Sequence, residues 1–151
     1  MIALAGDHAG FPLKTKIASY LDELKVEYKD FGTFNEESCD YTRFALTAAK
    51  AVMSGECDKG ILVCGTGIGI SISANKVRGI RCAVCGEPFT AMLSRLHNDA
   101  NMLALGARVV GEGAAKLIVK TWLETGFEGG RHAERVAGIH EIESAAPTGN
   151  M

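Results

Sequence analysis

Short apolar runs alternate with amphipathic stretches along nearly the whole chain, and this alternation constrains the fold more than any other feature. The runs IALAG (2–6), VEYKDFG (26–32), GILVC (60–64), RCAVC (81–85) and MLALG (102–106) read as strands. Between them, PLKTKIASYLDELK (12–25) sets Leu13, Ile17, Leu21 and Leu24 on one helical face, and Pro12 suits a first turn. TRFALTAAKAVMSG (42–55) reads as a helix stopped by Gly55. A short helix over GISISANK (69–76) and another over EPFTAMLSRLHN (87–98) follow. EGAAKLIVKTWLE (112–124) is apolar nearly all round, which predicts a well-buried helix, and a last helix covers 131–143. Strands separated by helices throughout imply a parallel sheet covered on both faces. Right-handed crossovers then favour an α/β doubly wound, five-stranded, flavodoxin-like (Rossmann-like) sheet of order 2-1-3-4-5. The expectation is one domain over residues 1–144 and a flexible tail over 145–151, AAPTGNM.

A chain of 151 residues matches one domain and buries enough surface to need neither disulfide nor metal. Its formal net charge of −2 argues against nucleic acid and anionic membrane as partners. No apolar run is long enough to span a bilayer, and the N-terminus lacks the basic start and apolar core of a signal peptide. Five cysteines, at 39, 57, 64, 82 and 85, are therefore read as reduced thiols of a cytoplasmic protein. Cys82 and Cys85 stand three apart on a strand, so they point to opposite faces; this argues against a redox or metal pair.

Doubly wound sheets bind ligands beyond the carboxyl ends of their strands, where the strand order reverses. Here that point lies between the first and third strands. The loops that follow are Gly6-Asp7-His8-Ala9-Gly10 and Cys64-Gly65-Thr66-Gly67-Ile68-Gly69. The second loop fails three known patterns. Its G-x-G-x-G spacing is not the dinucleotide fingerprint, because Ile70 occupies the third glycine's place. A cysteine-phosphatase loop would need an arginine at Ile70. Walker A would need Gly-Lys-Ser/Thr. Flavin binding stays open, although no aromatic residue lies near the loop to stack on a flavin.

What the loop offers is a thiol beside backbone N–H groups and a helix start. A thiolate there can act as base or nucleophile, with the glycines holding an oxyanion. The plainer reading, a buried cysteine that ends a strand, stays open beside it. Other polar groups carry the same two readings. Asp7 and His8 are substrate contacts or structural groups. His97, Asn98 and Asp99 in SRLHNDAN (94–101) are site residues or a polar helix cap. Arg131 and Arg135, four apart in GGRHAER (129–135), are a phosphate clamp or a solvated face.

Taken together, AGDHAGFPLK, KDFGT, ILVCGTGIGISISANK, SRLHNDAN, LGARVVG and EGGRHAERV resemble the type B ribose-5-phosphate isomerases. That family also includes galactose-6-phosphate isomerase subunits, and the resemblance runs from residue 2 to about 143. It implies a cofactor-free, metal-free aldose–ketose isomerase that takes a small sugar phosphate through an enediol. By this resemblance Cys64 is the base and His97 the acid that opens the furanose ring. Asp7, His8 and the loop Gly65, Thr66, Gly67, Ile68 and Gly69 contact the substrate, the loop holding the enediolate oxygens. Asn98, Arg108, Arg131 and Arg135 supply the remaining contacts, the arginines towards the phosphate. Some members carry a glutamate base at the position of Ile70, which cannot serve here, and many read Asp-Tyr-Pro where this chain has Asp40-Tyr41-Thr42. A hexose 6-phosphate isomerase and a non-catalytic sugar-phosphate-binding domain are the alternatives.

The expected topology adds one consequence. Cys64 ends a strand, whereas His97 lies between a helix and the next strand, which is the opposite edge of the sheet. If both act on one sugar, His97 comes from a neighbouring subunit. The expectation is a homodimer with composite sites, or a homotetramer built from such dimers.

Overall fold

The computed structural model describes residues 1–145. In chain order these form β1 (Ile2–Gly6), α1 (Phe11–Glu23), β2 (Tyr28–Asp30), α2 (Tyr41–Met53), β3 (Lys59–Cys64) and α3 (Ile68–Ala74). Then come β4 (Cys82–Val84), α4 (Pro88–Leu96), β5 (Met102–Gly106), α5 (Glu112–Glu124) and α6 (Arg131–Ala145). Of the expected tail 145–151, Ala145 ends α6 and the rest lies outside the described residues.

All five strands are parallel, and their order is β2-β1-β3-β5-β4. The doubly wound class is as expected, but the last two strands exchange places relative to 2-1-3-4-5. Burial explains the exchange. MLALG is buried at every position and pairs with β3 over five residues, from Gly60↔Met102 to Cys64↔Gly106. The three residues of β4 are at best half-buried, and a short strand of that kind suits a sheet edge. The chain therefore doubles back after β4, and right-handed crossovers put α4 on the opposite face from α3. One face carries α1, α4 and α5, the other α2 and α3.

Side chains alternate along the strands to build two half-cores. Leu4, Ile61, Val63, Leu103 and Leu105 meet Leu13, Ile17, Leu21 and Trp122 on one face. Ala3, Ala5, Leu62, Cys64 and Ala104 meet Ala45, Ala48, Ala49 and Ile70 on the other. The alanines of α2 let that helix lie close against the strands. Burying each large side chain, such as Leu21 or Ile118, stabilises the fold by roughly 1.5–3 kcal/mol. Cys82 packs against the α2/α3 half-core and Cys85 belongs to the other, so the two do point to opposite faces. All five cysteines are free. Helix α5 is less enclosed than its sequence predicts: Ala115, Ile118, Val119 and Trp122 face inward, while Leu117 is exposed. No helix among the described residues is long and apolar enough to cross a membrane.

Candidate active site

Parallel strands deliver the β1–α1, β3–α3 and β5–α5 loops to one edge of the sheet, and these loops interlock. A Cβ on Gly10 would lie 2.1 Å from the Val63 carbonyl oxygen, so only glycine lets the first loop rest on the end of β3. The N–H groups of Ala107 and Arg108 donate to the carbonyls of Cys64 (2.8 Å) and Gly65 (2.9 Å), tying the third loop to the second. Between them opens a cavity of about 530 Å³, within the usual range for small-ligand sites.

Cys64 lies at its floor, 4% exposed. The N–H of Gly67 donates to Cys64 Sγ at 3.1 Å. Gly67 can turn its N–H back onto the sulfur because it is left-handed (φ +79°), the residue from which α3 starts. Thr66, Ile68 and Gly69 line the cavity above the sulfur, and the Thr66 hydroxyl accepts a hydrogen bond from the Ile68 N–H at 3.3 Å. The Arg108 guanidinium lies against Gly65, where a Cβ would come within 3.2 Å of Nη1.

From the first loop, Asp7 is buried and its Oδ1 accepts from the Gly10 N–H at 2.8 Å, closing the turn that aims His8 into the cavity. His8 Nδ1 accepts from the Cys39 N–H at 3.2 Å. The proton of the neutral ring is therefore on Nε2, as a donor.

Three residues not singled out as site residues from the sequence also line the cavity: Cys39, Asp40 and Tyr41. Asp40 caps α2, its Oδ1 accepting from the Thr42 N–H at 2.9 Å, and that hydrogen bond holds its carboxyl below the usual range. Tyr41 packs so closely on Gly69 that a Cβ there would lie 2.7 Å from the ring. Topology offered the signal: a helix leading into β3 must begin at the carboxyl edge of the sheet, so its first residues stand over the same cavity as Cys64.

The remaining expected residues gather elsewhere. His97 is the C-cap of α4, and its ring stacks on His132 of α6 with centroids 4.0 Å apart and planes 11° from parallel. Burial, and then His97 itself, hold the His132 imidazole below its ordinary pKa. Arg131 and Arg135 stand on the same helix, both exposed. The successive left-handed residues Gly129 (φ +71°) and Gly130 (φ +55°) turn the chain into this helix. Asn98 follows His97, and its carbonyl accepts from Arg81 Nε at 3.0 Å. The turn is held by Asp99, which accepts from Arg95 Nη1 at 2.8 Å and from Arg81 Nη2 at 3.3 Å.

One chain thus brings together Asp7, His8, Cys64, the glycine loop and Arg108, and sets His97, Asn98, Arg131 and Arg135 apart from them. Its cavity is lined by one cation, Arg108, against the carboxylates of Asp7 and Asp40. The single chain's cavity therefore carries no excess of positive side chains.

A parallel sheet with a hydrogen-bonded thiol, a glycine loop and an arginine at its switch point defines a site for a small polar anion. The chain belongs to the ribose/galactose isomerase family, whose model matches residues 2–139. It is 55% identical to ribose-5-phosphate isomerase B of Escherichia coli over 94% of this chain and 95% of that one. The solved ribose-5-phosphate isomerase B of Clostridium thermocellum superposes with a TM-score of 0.94 at 57% identity, covering 95% of this chain and 97% of that one. The ribose 5-phosphate isomerase of Thermotoga maritima superposes at 0.91 and 49% identity, covering 93% and 97%.

Proposed function

We propose that the protein interconverts ribose 5-phosphate and ribulose 5-phosphate through an enediol, in the cytoplasm, as a homodimer with two composite sites. The observation that carries the reading is Cys64 Sγ, held under the Gly67 N–H at the floor of a cavity sized for a pentose phosphate. Membership of the isomerase family supplies the reaction class.

The Cys64 thiolate takes the proton from C2 of the open-chain aldose. The electron pair moves into a C1–C2 double bond, and the charge collects on O1. Backbone N–H groups of the 65–69 loop and the Thr66 hydroxyl hold the enediolate oxygens. The O2 hydroxyl proton passes to O1, which becomes the C1 hydroxyl, and as the same thiol returns its proton to C1 the electron pair on O2 closes the ketone at C2. Acid–base help of this kind is worth about 10²–10⁴-fold, and one oxyanion donor about 10²–10³-fold. Position 70 supplies no alternative base, because Ile70 is a hydrocarbon side chain and packs into the α2/α3 half-core. His8 donates to a substrate hydroxyl, and Tyr41 walls the cavity.

Before proton transfer the furanose must open, and His97 of the neighbouring subunit serves as the acid. Asn98 arrives with it. Arg131 and Arg135 of that subunit join Arg108 at the phosphate, which repairs the charge balance of the single chain. Exposed apolar side chains at the carboxyl edge, Ile68 (55%) on the cavity wall, Phe34 (69%) in the loop after β2 and Val109 (64%) in the loop after β5, give this edge of the sheet reason to be covered by a second copy.

Incubating the protein separately with ribose 5-phosphate, allose 6-phosphate and galactose 6-phosphate and measuring ketose tests the reading. Fastest turnover of ribose 5-phosphate is expected. A faster hexose phosphate overturns the substrate, and binding without ketose from any of the three overturns the activity.

A further inference from the structure

We propose that Arg81 is a positioning residue for the ring-opening step: it fixes the turn that carries His97 and Asn98, and it ties that turn to the helix that carries Arg131 and Arg135. Arg81 immediately precedes β4, stands outside the thiol cavity, and has a side chain only 14% exposed. Its Nε donates to the Asn98 carbonyl at 3.0 Å. Its Nη2 donates to the Asp99 carbonyl at 2.8 Å and to Asp99 Oδ2 at 3.3 Å. Its Nη1 lies 3.3 Å from His140 Nε2 on α6. Arginine can only donate, so this His140 nitrogen accepts and the ring proton sits on Nδ1. One planar guanidinium thus meets both elements that the proposed reaction takes from the neighbouring subunit.

The turn needs such a fixture. Carbonyls at a helix C-terminus lack intrahelical partners and stand at the negative end of the helix dipole. Helix α4 is capped by His97, and Asp99, two residues on, turns the chain with a left-handed backbone (φ +44°) that costs energy outside glycine. Arg95 also holds this turn, through Asp99 Oδ1 and through the Ala100 carbonyl at 2.7 Å, but it belongs to α4 and moves with it. Arg81 is anchored in the sheet instead. Its N–H donates to Asn101 Oδ1 at 2.8 Å, and its carbonyl accepts from the Met102 N–H at 3.3 Å, where β5 begins. The residues before it hold α6 as well: the Gly79 N–H donates to Glu143 Oε1 at 2.7 Å, and Arg78 Nη2 donates to the Glu143 carbonyl at 3.3 Å. The acid and the phosphate arginines therefore share one reference point, residues 78–81. A lysine at position 81 keeps the charge but cannot reproduce the rigid fork. The inference rests on the reading of His97 as the ring-opening acid.

The test separates ring opening from proton transfer. Ribulose 5-phosphate is acyclic, because its O5 carries the phosphate, so exchange of its C1 proton in deuterium oxide reports the Cys64 step without ring opening. Arg81→Lys and Arg81→Gln should lose roughly ten- to a hundredfold in kcat on cyclic ribose 5-phosphate, the scale of a small misplacement of a catalytic group, and keep most of their C1 exchange at saturating ketose. Equal losses in the two assays, or no loss in either, overturn the proposal. His140→Leu, at a half-exposed position, removes the contact to α6 and leaves the turn untouched, so it reads the link even where an Arg81 variant folds poorly. It should raise KM about two- to tenfold, as expected for one lost hydrogen bond, and an unchanged KM overturns the link to the arginines. Subunit mixing reads the placement. Arg81→Gln refolded with Cys64→Ala should regain turnover, and refolded with His97→Asn should not; recovery in the second mixture assigns Arg81 to the thiol half and overturns the proposal. The premise has its own readouts. Equal losses for His97→Asn in the two assays remove His97 as the acid, and failure of Cys64→Ala with His97→Asn to recover removes the shared site, while the ratio of ring opening to exchange still decides the role of Arg81.

Discussion

Co-refolding Cys64→Ala with His97→Asn subunits should recover about a quarter of wild-type activity from two inactive proteins, because equal mixing makes half the dimers mixed and each mixed dimer holds one intact site of two. The geometry behind this follows from the strand register. Gly60 pairs with Met102, and Cys64 lies four residues further along β3, which is about 13 Å at ~3.3 Å per residue. His97 lies five residues before Met102, beyond the other end of that span. In a furanose the ring oxygen and the C2 proton are only three bonds apart, so acid and base must face nearly the same point. One chain cannot arrange this across the length of its own sheet. Activity is read as ketose formed per total subunit, with exchange confirmed by mass-tagging one parent. Arg108→Ala supplies the control: it stands on the Cys64 side, so mixing it with Cys64→Ala should restore nothing beyond its own residual rate. Proven mixed dimers with no activity above either parent would refute the shared site.

His97→Asn should lose far more rate on cyclic ribose 5-phosphate than on an open-chain aldose phosphate, and equal losses would mean that His97 does not open the ring. Arg131→Ala and Arg135→Ala should each raise KM roughly ten- to a hundredfold with a smaller change in kcat, as expected for charge-assisted phosphate contacts; steady-state kinetics decide it. Gly10→Ala drives a methyl to 2.1 Å from the Val63 carbonyl oxygen and should cost about 1–3 kcal/mol, read as a lowered thermal midpoint. Cys64 and Cys39 line the cavity, whereas burial pushes the thiols of Cys57, Cys82 and Cys85 up, so brief alkylation at mildly alkaline pH should mark the two cavity cysteines first. Peptide mass mapping checks the order, and sugar phosphate should protect Cys64.

The alternation of apolar runs and amphipathic stretches determined by itself that this chain forms a parallel sheet covered on both faces, because those periods leave few other ways to bury the runs. Spacing alone also set Cys64 and the glycine loop at the carboxyl edge, since a strand must deliver its last residue there. The resemblance carried by motifs such as GDHAG and CGTGIGIS pointed to the sugar-phosphate isomerases. Local pattern could not order β4 and β5, because RCAVC and MLALG are similarly apolar and differ in how much of each finds cover. Competition for the centre of the sheet decided that, and with it the face on which α4 lies. Tyr41 and Cys39 entered the cavity wall for the same kind of reason. Nothing in their neighbours marks them, and only the direction of α2 over the sheet brings them to Cys64. The stacking of His97 on His132, thirty-five positions apart in the chain, is likewise a product of how α4 and α6 meet, which no local period encodes.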